Sequence, residues 1–421
     1  MREIGVGAGF AALLVLGCAK GERVGSASGP AVRDSAGVAI VENRAPAWKA
    51  GEGFTVGATP SLDAGGGDNP DASLALPGAA IRLADGGIVV LDAGASKIKR
   101  YGKDGAYAGD LGRQGSGPGE FQAPIWISRW PGDSFAVYDI LSRRFQVFAP
   151  DGKYVRAETA DFSIGPGQPL PPQPQGVFSD GTILARQATQ PEFPFDGPEG
   201  SIREDSARII RLTLAGQERD TFAIVPSGQA TGVRLSFGPQ AMMVPMNVLL
   251  SPQLTVAVHN DTTWMGTGRR WEIASYAPDG RLIRLIRLDR PLQDVTPALR
   301  DSAREAATGA LSAFRGMPPG MDSVLIRAVR NGPVPEKLPA HGRLLVDDSG
   351  WIWVEERPTV ISGGPSAGGG TWLVFSPEGA YQGDVRMPDS FAPLRIGTDW
   401  VLGIWEDEDE GRHVRMHPIE R

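Results

Sequence analysis

The stretch 83–124, LADGGIVVLDAGASKIKRYGKDGAYAGDLGRQGSGPGEFQAP, constrains the fold more than any other feature, because much of the chain is a looser copy of it. Residues 88–91 (Ile-Val-Val-Leu) form a short apolar run between an Asp-Gly-Gly turn and Asp92, the pattern of a buried strand. A second run at 98–101 ends in Gly-Lys-Asp-Gly, a hairpin signal because Gly and Asp accept positive φ at low cost. Residues 106–111 supply the next strand. The pattern returns 47 residues later: 135–138 matches 88–91, Asp139 matches Asp92, and Phe-Gln-Val-Phe before Ala-Pro-Asp-Gly matches 98–105.

Four looser copies follow. Residues 182–185 pair with 209–212, 255–258 with 273–276, 351–354 with 373–375, and 401–405 with 414–418. A repeat of roughly 40–50 residues with about four short strands per unit predicts an all-β fold, a six-bladed β-propeller of four-stranded antiparallel blades. Such a ring must close or leave sheet edges open, so an N-terminal strand, 38–42 or 54–56, is expected to complete the last blade. Thr296 as N-cap, Pro297 at the first helical position, and the stripe Leu299, Ala303, Ala306, Ala310, Phe314 predict one helical insertion over 296–315. The interval that follows could hide a seventh unit, but only 324–329 looks strand-like there.

The pattern V-x-D-x-x-x-x-[KR]-[IF]-x-x-[FY], then D-G, then G-x-G-P-G-E-F resembles the NHL-repeat and related six-bladed propellers. It stands here as Val90, Asp92, Lys97, Ile98 and Tyr101, again as Val137, Asp139, Arg144, Phe145 and Phe148, with Gly115 to Phe121 as the linking turn. In such repeats the aspartate is expected to bind turn amides.

Residues 1–17 read as a signal peptide: Arg2, then an apolar stretch too short to span a bilayer. They end in Val-Leu-Gly before Cys18, which resembles a bacterial lipobox, and Cys18 is the only cysteine of the 421 residues. Residues 18–33, rich in Gly and Ser, read as a lipidated flexible tether, and 34–421 as the propeller. The expected location is the periplasmic or outer-membrane face of a bacterial cell envelope. A net charge of −7 argues against a nucleic-acid binder.

The repeat position of Asp92 and Asp139 holds Arg186, His259, Glu355 and Glu406 in the looser copies. On an inner strand these six would ring one mouth of the central channel and could bind a metal, a sugar or a polar metabolite. The competing reading is structural, with both aspartates accepting turn amides and pairing with Lys97 and Arg144. No metal motif appears, although calcium held by carboxylates and carbonyls stays possible. His413 and His417 sit on a strand about 13 Å apart, too far to share a metal. The run 406–410 reads as a solvated hairpin tip. Gly112 to Gly119 is no phosphate loop, since no Gly-Lys-Ser/Thr follows, and the chain has no G-x-S-x-G elbow. The clustered Met242, Met243 and Met246 read as a buried strand or plug before an adaptable surface, and Trp48 and Trp264 as packing residues before exposed anchors.

The expected function is a monomeric, lipid-anchored scaffold that binds an envelope protein, a polar small molecule or a carbohydrate. It touches the membrane through the anchor alone. A metal-assisted hydrolase or lactonase at the channel mouth is the alternative. It requires carboxylates and His259 to converge on one point, whereas a scaffold leaves them dispersed or ion-paired.

Overall fold

The computed structural model describes residues 29–421, apart from 67–68, 163–170, 190–193, 238–239, 314–319, 357–368 and 408–410. Cys18, the signal peptide and most of the tether lie outside the described residues. Among the described residues the strands fall into six sheets. We number them 1 to 6 in chain order, with first strands Pro77–Arg82, Pro124–Trp130, Gln173–Val177, Thr255–His259, Leu344–Val346 and Phe391–Ile396. Each first strand touches the first strand of the next sheet, and Phe391–Ile396 returns to Pro77–Arg82. The first strands are therefore the inner wall of a closed ring, a propeller-type arrangement.

Sheets 1 and 2 show how closely the sequence repeat becomes a structural one. Pro77 pairs with Asp92 and Pro124 with Asp139, and a bulge follows each proline. Pro174 and Pro393 mark bulges in the inner strands of sheets 3 and 6. Proline cannot donate to a ladder, so it sits where the ladder is already interrupted. The turn at Gly105 adopts φ +80 as the Asp-Gly signal requires.

One hydrophobic cluster fills each seam between neighbouring sheets. Ile81, Val89, Phe121, Ile127 and Phe135 join sheets 1 and 2. Trp353, Trp372, Phe391 and Ile419 join sheets 5 and 6, and Ile88, Tyr101, Leu402 and Val414 close the ring between 6 and 1. Both faces of every sheet are thus buried, which is why the central strands read as continuous apolar runs rather than alternating ones.

The N-terminal segment wraps around three sheets. Val38–Asn43 joins the outer edge of sheet 4, parallel to Leu282–Leu288, and carries Ala31–Ser35 on its far side. The chain then crosses sheet 5, where Asn43 binds the backbone of Gly379 and Tyr381. Trp48 packs on Phe54 and Trp351 at ring separations of 4.9 and 6.4 Å. Finally Thr55–Val56 and Leu62–Ala64 pair with Arg412–Glu420 of sheet 6. Closure of the last sheet by an N-terminal strand is present, but Val38–Asn43 is not that strand. It runs parallel on sheet 4 instead, because its apolar side chains have a buried edge to fill there.

Two further expectations need correction. Thr255–His259 pairs directly with Thr262–Gly266, which in turn pairs with Glu272–Tyr276. It is the first strand of sheet 4, not the second. The Asn260-Asp261 turn, both residues at positive φ, is too short to have stood out as a hairpin. The insertion is also a pair of helices, α1 (Pro297–Ala313) and α2 (Met321–Asn331), so the strand-like 324–329 is helical. Met321, Val324, Leu325 and Ala328 recur at helical spacing and pack on Val233, Leu235 and Val244. A short apolar run does not distinguish strand from helix until its partner surface is known. Thr296 caps α1 as expected, its Oγ1 accepting the Leu299 amide at 3.2 Å.

Sheet 3 departs most from the repeat. Its third and fourth strands, Ile202–Leu212 and Glu218–Phe237, run past the end of the sheet, and Gln240–Asn247 is added as a fifth. Helix α1 packs through Leu299 and Ala303 on Leu250 and Leu338, and α2 braces this extension. Met246 packs into that contact, whereas Met242 is 40 % exposed.

Candidate functional site

The inner strands define two ends of the ring. At the end where they begin lie five of the six repeat-position residues. Asp92 and Asp139 are fully buried. Asp92 accepts the amides of Ala75 and Leu76 at 3.0 and 2.8 Å. Asp139 accepts those of Gln122, Ala123 and Ser142 at 2.6, 2.9 and 2.9 Å. These carboxylates tie each inner strand to its second strand. The expected ion pairs are absent: Lys97 binds Asp110 at 2.6 Å, and Arg144 donates to the carbonyls of Ser116, Gly117 and Glu120.

Glu355, 3 % exposed, receives the backbone amide, Nε and Nη2 of Arg343 at 3.1–3.2 Å. The other terminal nitrogen of Arg343 binds the Pro393 carbonyl at 3.0 Å, stitching sheet 5 to sheet 6. Glu406 is half-buried against Arg412 at 3.3 Å. His259 is separated from these five. It ends an inner strand and so stands at the opposite end of the ring, which follows from the one-strand shift in sheet 4. Burial depresses its imidazole, against a smaller upward pull from Asp348 and Asp347.

Arg186 is the repeat-position residue that opens onto a cavity. The sheet 3 extension lines a partly open cavity of about 310 Å³. Its charged and polar lining includes Arg186, Arg203, Asp205, Asn247 and, from the strap before sheet 4, Gln253. Arg186 contacts Gln173 Oε1 at 3.3 Å. Arg203 is held by Asp205 at 2.6 Å and Asp196 at 3.4 Å, with its guanidinium 4.8 Å from the Phe195 ring. Pro171, Ala188, Ala207 and Pro245 supply apolar walls. The size falls in the range of small-ligand sites, about 300–1,000 Å³. Paired donors and acceptors on a rigid floor can orient a polar molecule without a net charge demand.

Across the ring, Arg129 and Asp348 approach to 3.9 Å, and Arg395 reaches the Ile127 carbonyl and Ser128 Oγ at 3.4 Å each. None of these, nor Arg203 or Asn247, stood out in the sequence. The recurrent prolines would have located the inner strands. Arg82 and Arg129 also lie 47 residues apart, at one repeat position. Among the described residues no three His, Cys, Asp or Glu gather as a metal site requires. His413 instead binds Asp63 at 2.8 Å, and His417 the Gly57 carbonyl at 2.8 Å.

These features define a mostly β protein of propeller type with a partly open polar cavity. No family model matches the sequence, and no curated protein does. Among solved structures, a DUF4221-family member from Bacteroides vulgatus is similar over 87 % of this chain and 99 % of its own, with TM-score 0.50 and 11 % identity. At that identity the likeness concerns the fold alone. A protein from Bacteroides fragilis described as exported gives TM-score 0.45 at 10 % identity, over 90 % of this chain and 99 % of its own. A gluconolactonase from Xanthomonas campestris gives 0.38 at 13 %, over 82 % and 87 %.

Proposed function

We propose that the chain is a six-bladed β-propeller, one sheet per blade, exported and anchored through a lipid on Cys18. Its role is that of a binding scaffold on the bacterial envelope, and its ligand is a polar small molecule or a polar group of a partner protein, held in the sheet 3 cavity. The cavity carries this reading. A blade needs four strands, yet sheet 3 adds a fifth and a long overhang braced by α2. That investment produces a partly open polar pocket around Arg186.

The hydrolase or lactonase alternative is less favoured. The carboxylates it would recruit are taken up by amides or arginines, and His259 lies at the other end of the ring.

Two experiments test the proposal. Cys18→Ala should move the full-length protein from the membrane to the soluble fraction; unchanged membrane retention refutes the anchor. Small molecules co-purifying with the wild type, identified by mass spectrometry, should be lost from Arg186→Gln and Asn247→Leu variants that retain native circular dichroism. If both variants carry the same complement as wild type, or wild type carries none and binds nothing from a polar metabolite panel, the cavity is not the site.

A further inference from the structure

We propose that the far end of the ring, opposite the sheet 3 cavity, holds a binding site for a small oxyanion, a carboxylate or a phosphate, between Arg395 and Arg129. Four inner strands deliver the groups involved. Arg395 comes from sheet 6 and reaches past sheet 1 to sheet 2, where its Nη2 lies 3.4 Å from both Ile127 O and Ser128 Oγ. Arg129 comes from sheet 2, its Nε and Nη2 on the Arg82 carbonyl at 3.2 and 3.1 Å. Asp348 follows the inner strand of sheet 5, and His259 ends that of sheet 4.

The charges at this point do not balance. Among the described residues no carboxylate lies within ion-pair distance of Arg395, although protein surrounds most of it. Its two partners are neutral oxygens at the long limit of a hydrogen bond. Among the described residues Asp348 is the carboxylate that acts on both arginines, and it meets Arg129 only loosely, at 3.9 Å. The neighbouring Asp347 is spent elsewhere, on the Trp353 indole and on Arg421. Burial, with repulsion from Arg129 behind it, pushes the Arg395 guanidinium down to about 10. An enclosed guanidinium without a counter-charge is costly, and an oxyanion offers the planar bidentate partner that it lacks. Access is open, because the Arg129 and Asp348 side chains are 50 % and 45 % exposed.

Asp348 competes with such an anion for Arg129, so removing its charge should strengthen binding. A unit charge a few ångströms away at the protein surface changes affinity by about threefold to tenfold.

The test is calorimetric titration of the full-length protein at low ionic strength, with inorganic phosphate in one arm and succinate in the other. Wild type should bind at least one of them at one site per chain, more weakly as salt rises. Arg395→Gln should lose affinity at least tenfold, and Asp348→Asn should gain threefold to tenfold. Arg386→Gln, an exposed arginine far out on sheet 5, should match wild type. The arm that responds identifies the class of oxyanion. Should Arg395→Gln fail to fold, the Asp348→Asn result decides alone. Absence of saturable binding in both arms, equal affinities for wild type and Arg395→Gln, or weaker binding by Asp348→Asn would each overturn the site and leave Arg395 as a brace across the channel.

Discussion

The two repeat-position aspartates permit a matched experiment. They occupy one structural position in sheets 1 and 2, both fully buried, but Asp139 satisfies three backbone amides and Asp92 two. Replacing either by alanine leaves its amides buried without acceptors, and each orphaned group costs about 1–3 kcal/mol. Taking the middle of that range and allowing for some entry of water, Asp139→Ala should cost about 5 kcal/mol and Asp92→Ala about 3 kcal/mol. Asp139→Asn keeps one acceptor oxygen but turns an amide donor towards a backbone donor, so about 2–3 kcal/mol is expected. Urea unfolding followed by tryptophan fluorescence measures all three, with an unchanged slope as the condition for comparing midpoints. The ordering is the sharp part. If both alanine variants cost under about 1 kcal/mol, or Asp92→Ala costs more than Asp139→Ala, these carboxylates do not hold the inner strands as argued.

Three further outcomes follow from the packing. Asp63 lies on the closing segment. Burial alone would raise its carboxyl, but hydrogen bonds from His413 and Arg415, with their charges, outweigh it and hold the group below the usual carboxylate range. A depressed carboxylate stabilises the fold above its unfolded pKa, and that stability is lost as pH falls through the folded value. Wild type should therefore weaken as pH drops below about 4, and Asp63→Asn should flatten that part of the acid-unfolding curve; parallel curves would disprove the latch. Trp353 is fully buried, with its indole donating to Asp347 at 3.1 Å. Trp353→Ala should cost about 3–5 kcal/mol in the same urea assay, and a loss under 1 kcal/mol would show the sheet 5–6 seam to be loosely packed. Gly105 sits at φ +80, and a Cβ there would fall 2.2 Å from the Asp63 carbonyl. Gly105→Ala should thus lower the thermal midpoint even though the turn is exposed, whereas Gly132→Ala, also at positive φ but facing open space, should lower it less.

The candidate sites were less legible than the fold. Arg186 is legible through its repeat position, but the cavity around it needs Arg203, Asp205, Asn247 and Gln253, which span about 50 residues of the least repetitive part of the chain. His259 was assigned to the wrong end because a short turn at Asn260 hid one strand of sheet 4. Arg395 and Asp348 carry no local signal at all. They come to one end of the ring only because the inner strands of sheets 5 and 6 line the same channel as that of sheet 2.

The strand and turn pattern of the copies at 88–105 and 135–152 was determined by sequence alone. Buried central strands demand unbroken apolar runs, and tight hairpins demand Asp-Gly or its equivalents, so these constraints are local and repeat with the fold. Tertiary structure decided which edge each N-terminal strand joins, that 324–329 coils as a helix against Val233 and Leu235, and which charged side chains meet at either end of the ring. Those outcomes depend on partner surfaces distant in the chain, whose complementarity no local pattern encodes.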